Sequence, residues 1–247
     1  MDMSIRDRMK EYEDVSNHYL LSRTPVFIRV DGRAFHSFTK GMEKPFDLNL
    51  INAMLLAGQE TAKEMMGFKL GYHQSDEFTF MMLDTDSLET QPWFGNNMSK
   101  IISITTSIFT SAFNSMFLFN KKAQFDCRAF NVPLDDAPNV FIWRQHDWER
   151  NSLQMLARSK FSHKQLEGKN SGDIHNMLHE IGLNWADLPN VLKNGSFLTK
   201  EGNLISNKLD YSAINDLIHK EKELSKIRTS KVDILKPVLI DQRTKYV

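Results

Sequence analysis

Residues 68 to 83 read FKLGYHQSDEFTFMML, two apolar segments flanking the polar turn HQSDE. That pattern predicts a β-hairpin. The segments around it restrict the fold. LNLINAMLLAGQETAKEMMG, residues 48 to 67, is dominated by Ala, Leu and Met and ends on Gly67, which predicts a helix with its stop. VFIRV, residues 26 to 30, reads as a strand ahead of it. Residues 98 to 119 read as a second long helix, and AQFDCRAFNV, 123 to 132, as a strand followed by Pro133. Residues 33–47 and 84–97 read as loops. The order is strand, helix, strand, strand, helix, strand: an α+β, ferredoxin-like βαββαβ core with two helices on an antiparallel sheet. In this topology the first and third strands are antiparallel neighbours. Asp31 lies at the exit of the first, and Asp76 and Glu77 at the entrance of the third. Carboxylates far apart in sequence are thereby expected to meet at one edge of the sheet.

The flanks read as helical. Residues 4 to 22 carry a loose stripe of Ile5, Met9, Tyr12 and Tyr19, ended by Pro25. Beyond residue 134, DDAPNVFIWRQHDWERNSLQMLARSKF opens with aspartate caps and a proline. SHKQLEG and SGDIHNMLHEIG each begin with a serine, Ser162 and Ser171, where an N-cap belongs, and end on glycine. LKNGSFL suggests a short hairpin or strand pair. Residues 207 to 230 are charged and amphipathic, and the mildly basic 228–246 segment reads as a solvated face. There is no internal repeat or low-complexity linker. The expected organisation is a core with an N-terminal helix over 1–133 and a mostly helical extension over 134–247 packed on it.

Composition excludes several classes. Lys plus Arg and Asp plus Glu each number 31, so the formal net charge is zero. That argues against nonspecific coating of nucleic acid. The single cysteine, Cys127, can form neither an internal disulfide nor a cysteine-rich metal site. The opening MDMSIRDRMKEYED is too charged for a secretory signal. IISITTSIFTSAFNSMFLF, residues 101 to 119, is interrupted by Thr105, Thr106, Ser111, Asn114 and Ser115, so it reads as a buried or half-buried helix rather than a membrane span. A cytoplasmic protein is expected. Trp93, Trp143 and Trp148 read as packing residues, and the 13 methionines as core filling.

Clustered carboxylates repel unless neutralised. Either Arg29, Arg33 or Lys44 pairs with them, and the cluster is structural, or divalent cations bind there. Magnesium takes one or two carboxylates plus phosphates and water, and two cations can clamp both oxygens of a phosphoryl displacement. Lys44, His36, Ser75 and Lys100 are the polar groups expected near such a site.

RVDGRAFHSF (29–38), KPFD, HQSDEFTF, FDCRAF and WRQHDWERN follow one another in an order and spacing that resemble the motifs of the tRNA-His guanylyltransferase family. The resemblance covers roughly residues 24 to 200. It implies a polymerase-palm core and an enzyme that adds nucleotides to the 5′ end of tRNA. It implies catalytic carboxylates at Asp31, Asp76 and Glu77, with two magnesium ions on Asp31, Asp76 and the Gly32 carbonyl. It places Arg33, Phe35, His36, Lys44, Asp47, Ser75 and Lys100 around nucleotide, and Arg29, Arg128 and Asn151 at phosphate or tRNA. ATP and GTP are the implied substrates, and a tetramer the implied assembly. The implied chemistry has two steps. ATP or GTP activates the tRNA 5′-monophosphate and releases pyrophosphate; the 3′-hydroxyl of an incoming nucleotide then attacks and releases the activating nucleoside monophosphate.

The chain departs from the eukaryotic pattern after WRQ, where Glu149 and Ser152 stand near places of a histidine and an asparagine, and at Asn97, where relatives carry arginine. These departures imply the bacterial, archaeal or phage-like branch and template-directed repair of 5′-truncated tRNA. Two other readings compete. A nucleotidyl or diguanylate cyclase shares the aspartates but carries a glycine-rich hairpin, which HQSDEF lacks. A noncatalytic RNA-binding module would stack bases on Phe78 and Phe80, although period-two apolar residues more often face a core.

Overall fold

The computed structural model describes residues 3–117 and 121–219. Helix α1, Ile5–Asp14, is capped by the Ser4 side chain on the Asp7 amide. It is shorter than the 4–22 expected. The chain leaves it to pair with the segment ahead of a later helix: Leu20 N–H donates to the Asn96 carbonyl at 2.9 Å and Met98 N–H to the His18 carbonyl at 2.9 Å. The stripe of Ile5, Met9 and Tyr12 buries nothing.

The core follows the expected order. Strand β1 is Val26–Gly32, and a single turn of helix, α2, Phe35–Phe38, sits inside the segment read as loop. Helix α3 is Leu48–Glu64, β2 Phe68–Gln74, β3 Glu77–Met82, α4 Met98–Met116 and β4 Phe125–Asn131. A 3₁₀ turn, Trp93–Asn96, leads into α4. After β4 come α5, Ala137–Arg158; α6, His163–Leu166; α7, Ser171–Glu180; and α8, Asn190–Asn194. Two short strands, β5 Ser196–Thr199 and β6 Leu204–Ile205, precede α9, Tyr211–His219. Ser162 caps α6 in a capping box with Gln165, as expected. The cap of α7 is Asn170, boxed with Asp173, one residue ahead of the expected Ser171. The tail beyond 219, including the 228–246 segment, lies outside the described residues.

The strands form one sheet in the order β4-β1-β3-β2-β5-β6, every pairing antiparallel. β1 and β3 are neighbours, and the predicted strand pair LKNGSFL supplies β5, which extends the sheet at β2. Strand alternation divides the apolar residues between two faces. Val26, Ile28, Val30, Phe78, Phe80 and Met82 pack with Met54 and Ala57 of α3 and Phe109 and Phe113 of α4. Phe27, Tyr72, Met81 and Phe197 pack on the other face with Phe141 of α5 and Ile214 and Ile218 of α9. The side that ferredoxin-like sheets often leave open is thus partly covered by the C-terminal helices. Phe78 and Phe80 are 0 % exposed, so they offer no surface for base stacking. Among the described residues no helix is long and apolar enough to cross a membrane.

Candidate active site

The β1–β3 and β1–β4 registers place Asp31 opposite Glu77 on one side and Asp126 on the other. Three carboxylates therefore stand abreast at one end of the sheet, on the face toward α5. Two positions back, on the same face, Arg29 is opposite Arg128 and Thr79. Side chains directly opposite in such ladders lie about 5 Å apart, close enough for like charges to destabilise each other. Asp76 sits one residue before β3, in the tight turn made by Ser75 with its positive φ of 51°. The Gly32 N–H donates to the Asp76 carbonyl at 3.0 Å, joining the exit of β1 to that turn. Gly32 is a glycine because a Cβ there would lie 2.2 Å from the Phe35 ring.

The carboxylates are not equivalent. Glu77 receives a bidentate hydrogen-bonded pair from Arg144 of α5, Nε to Oε1 at 2.8 Å and Nη2 to Oε2 at 2.9 Å, and Arg29 approaches it at 3.7 Å. Burial raises the Glu77 carboxyl above its ordinary range, and Arg144 and then Arg29 oppose that shift. Arg144 also donates to Asp147 at 2.9 Å, and Asp147 accepts from Arg150 and Asn151. Asp31 and Asp76, by contrast, make no ion pair among the described residues. Burial, then the charge of Asp126, pushes Asp31 up. Burial pushes Asp76 up to about 6, with Asp31 adding repulsion and the Ser75 hydroxyl opposing it through a hydrogen bond.

These two carboxyls, neither held in an ion pair among the described residues, suit a divalent cation. Among the described residues no three His, Cys, Asp or Glu side chains converge to hold a metal ion. Two aspartates with a backbone carbonyl match magnesium shared with phosphates and water, and not a cage made wholly of protein. Glu77 is occupied by Arg144.

The other expected residues separate into groups. Lys44 and His36 are exposed on the segment that leaves β1 toward α3. Asp47 is the N-cap of α3, accepting from the Asn49 and Leu50 amides at 3.0 Å. Phe35 is a correction: it is buried against Phe38, Phe113 and Phe125 and belongs to the core, because the turn after Gly32 folds it under the sheet. Arg33 donates to Gln124 at 2.6 Å. Arg128 is exposed beside Asp126. Among the described residues Asn151 donates to Asp147, which also accepts from Arg144. Lys100 is a second correction. The start of α4 is bonded to the 18–20 segment, Met98 N–H to the His18 carbonyl and Leu20 N–H to the Asn96 carbonyl, and the next residue, Leu21, bonds Asn131, which pairs with Val26 at the other end of β1 from Asp31. Val26 and Asp31 are roughly 17 Å apart along the strand. Within one chain Lys100 is not at the carboxylates.

The structure adds Arg144, which pairs with Glu77 through two hydrogen bonds, while Arg29, one of the three cations expected there, approaches the same carboxylate at 3.7 Å. The signal for Arg144 was its place in WRQ, a motif of the resemblance. Trp143, read as packing, is 54 % exposed.

The tRNA-His guanylyltransferase family matches residues 6–133. The chain is 31% identical over 217 residues to the tRNA(His) guanylyltransferase of Schizosaccharomyces pombe, covering 78% of this chain and 79% of that protein. The chain belongs to the tRNA-His guanylyltransferase family. Members of this family are nucleotidyltransferases, and this chain is an enzyme of that class. Its fold is that of a bacterial tRNA(His) guanylyltransferase-like protein solved in complex with ATP, with a TM-score of 0.84, 39% identity, and coverage of 88% of this chain and 100% of that one. A structure described as the same kind of bacterial protein in complex with GTP aligns with a TM-score of 0.72 and 41% identity over 80% of this chain and 84% of that one. Family membership also removes the cyclase reading.

Proposed function

We propose that this chain is a magnesium-dependent 3′-5′ nucleotidyltransferase acting on the 5′ end of tRNA, with template-directed repair of truncated ends as its main reaction. The observation that carries the reading is the meeting of Asp31 and Asp76 at one end of a palm-like sheet, both raised by burial and neither ion-paired among the described residues. Residues 1–133 form the palm-like core of this reading, and the C-terminal part packs on it.

In the first step a 5′-phosphate oxygen of the tRNA attacks the α-phosphorus of ATP or GTP, and pyrophosphate leaves. In the second, the 3′-hydroxyl of an incoming nucleotide attacks the activated 5′-phosphorus, and the nucleoside monophosphate leaves. Asp31, Asp76 and the Gly32 carbonyl would hold magnesium, which supplies Lewis-acid stabilisation of the oxygens at the reacting phosphorus. Lys44 and Ser75 contact the triphosphate, Lys44 as a point charge. Arg29 and Arg128 supply positive potential on the same face. Glu77 fixes the start of β3 through Arg144. The ATP and GTP complexes of the similar bacterial proteins support nucleotides as substrates. The departures at Glu149 and Ser152 favour repair over untemplated guanylate addition, the tetramer follows the family, and the cytoplasm is the expected site of action.

The test uses 5′-monophosphorylated tRNA lacking its first nucleotide, beside full-length tRNA-His, with magnesium, ATP and all four nucleoside triphosphates. Extension by the base complementary to the acceptor strand supports repair. Guanosine addition to tRNA-His alone replaces repair with guanylate transfer. No incorporation into either overturns the proposal.

A further inference from the structure

Trp143 lies on α5 above the β1 side of the carboxylate face. The Arg29 guanidinium is 5.8 Å and the Arg144 guanidinium 4.5 Å from its ring centroid. Both distances are within cation–π range. With both cations in place the side chain is still 54 % exposed, while Trp93 and Trp148 are buried. Half of the Trp143 surface is available for a further contact. Arg29 and Asp31 alternate on the same face of β1, about 7 Å apart along the strand. The indole is thus linked to the carboxylates through Arg144, which bonds Glu77, the residue opposite Asp31. The guanidinium of Arg144 is itself fixed by Glu77 and Asp147. A ring held this way loses little further freedom when something flat is laid on it.

We infer that Trp143 is a stacking platform for a nucleobase at the mouth of the site. Every base has a π face, so the platform tolerates sequence. The base comes either from a nucleoside triphosphate or from the terminal nucleotide of the RNA strand. This inference rests on the nucleotidyl-transfer reading, so its test reads binding and needs no turnover.

The full chain is titrated with ATP, with GTP, with a 5′-monophosphorylated acceptor-stem hairpin RNA and with base-free tripolyphosphate, in wild type, Trp143→Phe and Trp143→Leu. The expected result for Trp143→Leu is about tenfold weaker binding of at least one base-bearing probe with tripolyphosphate binding unchanged. Trp143→Phe keeps affinity within about threefold because a benzene ring still stacks, and it loses the part of the fluorescence quenching that wild type shows. Loss confined to ATP and GTP assigns the platform to the nucleotide; loss confined to RNA assigns it to the strand end. Unchanged affinity for all base-bearing probes in Trp143→Leu overturns the inference. So does an equal loss for every probe including tripolyphosphate, or a changed subunit number with unchanged affinities. If wild type incorporates no nucleotide while its binding still depends on Trp143, the nucleotidyl-transfer reading fails and the platform stands.

Discussion

Asp31 and Glu77 face each other across the β1–β3 ladder, yet only Glu77 is neutralised, by the two-pronged guanidinium of Arg144. The start of β3 is thereby tied to a helix more than sixty residues further along the chain, and the neighbouring aspartate makes no ion pair among the described residues. Arg144 and Glu77 are each 7 % exposed. Removing Arg144 leaves the buried Glu77 charge with only the longer contact to Arg29 at 3.7 Å, at a cost of up to about 3–5 kcal/mol. Arg144→Met is therefore expected to lower unfolding free energy by that amount in urea titration. The double variant Arg144→Met, Glu77→Gln recovers much of the loss. A double variant no more stable than Arg144→Met means the two side chains are not energetically coupled.

Asp76→Asn is expected to reduce nucleotide incorporation by roughly a thousandfold or more, since magnesium stabilisation is worth several kcal/mol. Thermal stability is expected to hold or rise, because the substitution removes a buried carboxyl that repels Asp31. Incorporation assays and circular-dichroism melting measure the two effects separately. An active Asp76→Asn enzyme in magnesium refutes the assigned site.

Buried His73 gives the fold a pH dependence with a definite sign. Burial lowers its pKa from 6.5 to about 4, while its Nε2 bonds the Ser75 carbonyl at 2.9 Å. The folded state thus holds fewer protons than the unfolded chain between those values. The stabilising contribution is complete above pH 6.5 and declines as pH falls toward about 4, by about 3 kcal/mol in all. Asp76, raised instead of lowered, acts in the opposite direction over part of this window, so the comparison must be with His73→Gln. The wild-type curve should fall more steeply on acidification than the variant's; parallel curves contradict the assignment.

Gly58 lies inside α3, where alanine would ordinarily gain about 1 kcal/mol of helix propensity. A Cβ there would stand 2.0 Å from the Phe78 ring. That ring is fully buried between α3 and Phe80, stacked on the latter at 4.4 Å between centroids. Overpacking of this kind costs about 1–3 kcal/mol, so Gly58→Ala is expected to destabilise on balance. A raised melting temperature would show that Phe78 can move aside.

The βαββαβ core was legible because its signals are local: alternation in FKLGYHQSDEFTFMML, composition in 48–67, and the turn at Ser75. The meeting of Asp31 with the Asp76–Glu77 turn followed from topology alone. What escaped depends on distance across the fold. Nothing near Arg144 says that its guanidinium reaches back to β3. Nothing in GRAFHSF says that the first phenylalanine turns under the sheet while the histidine beside it stays in solvent. Lys100 was misplaced because its sequence position shows nearness to the hairpin but not to which end of β3 it belongs. The end of α1 was missed because the residues that stop it pair with Asn96 and Asn97 across the chain.

The pairing of Leu70 with Thr199 makes the sheet depend on the last part of the polypeptide. During synthesis, β1 to β4 can assemble long before β5 emerges, and until then the outer rim of β2 exposes unpaired amides and carbonyls, the condition that invites strands from other chains. Chains cut short before residue 196 are therefore expected to be sticky as well as inactive, and the late hairpin acts as the protein's own seal against self-association.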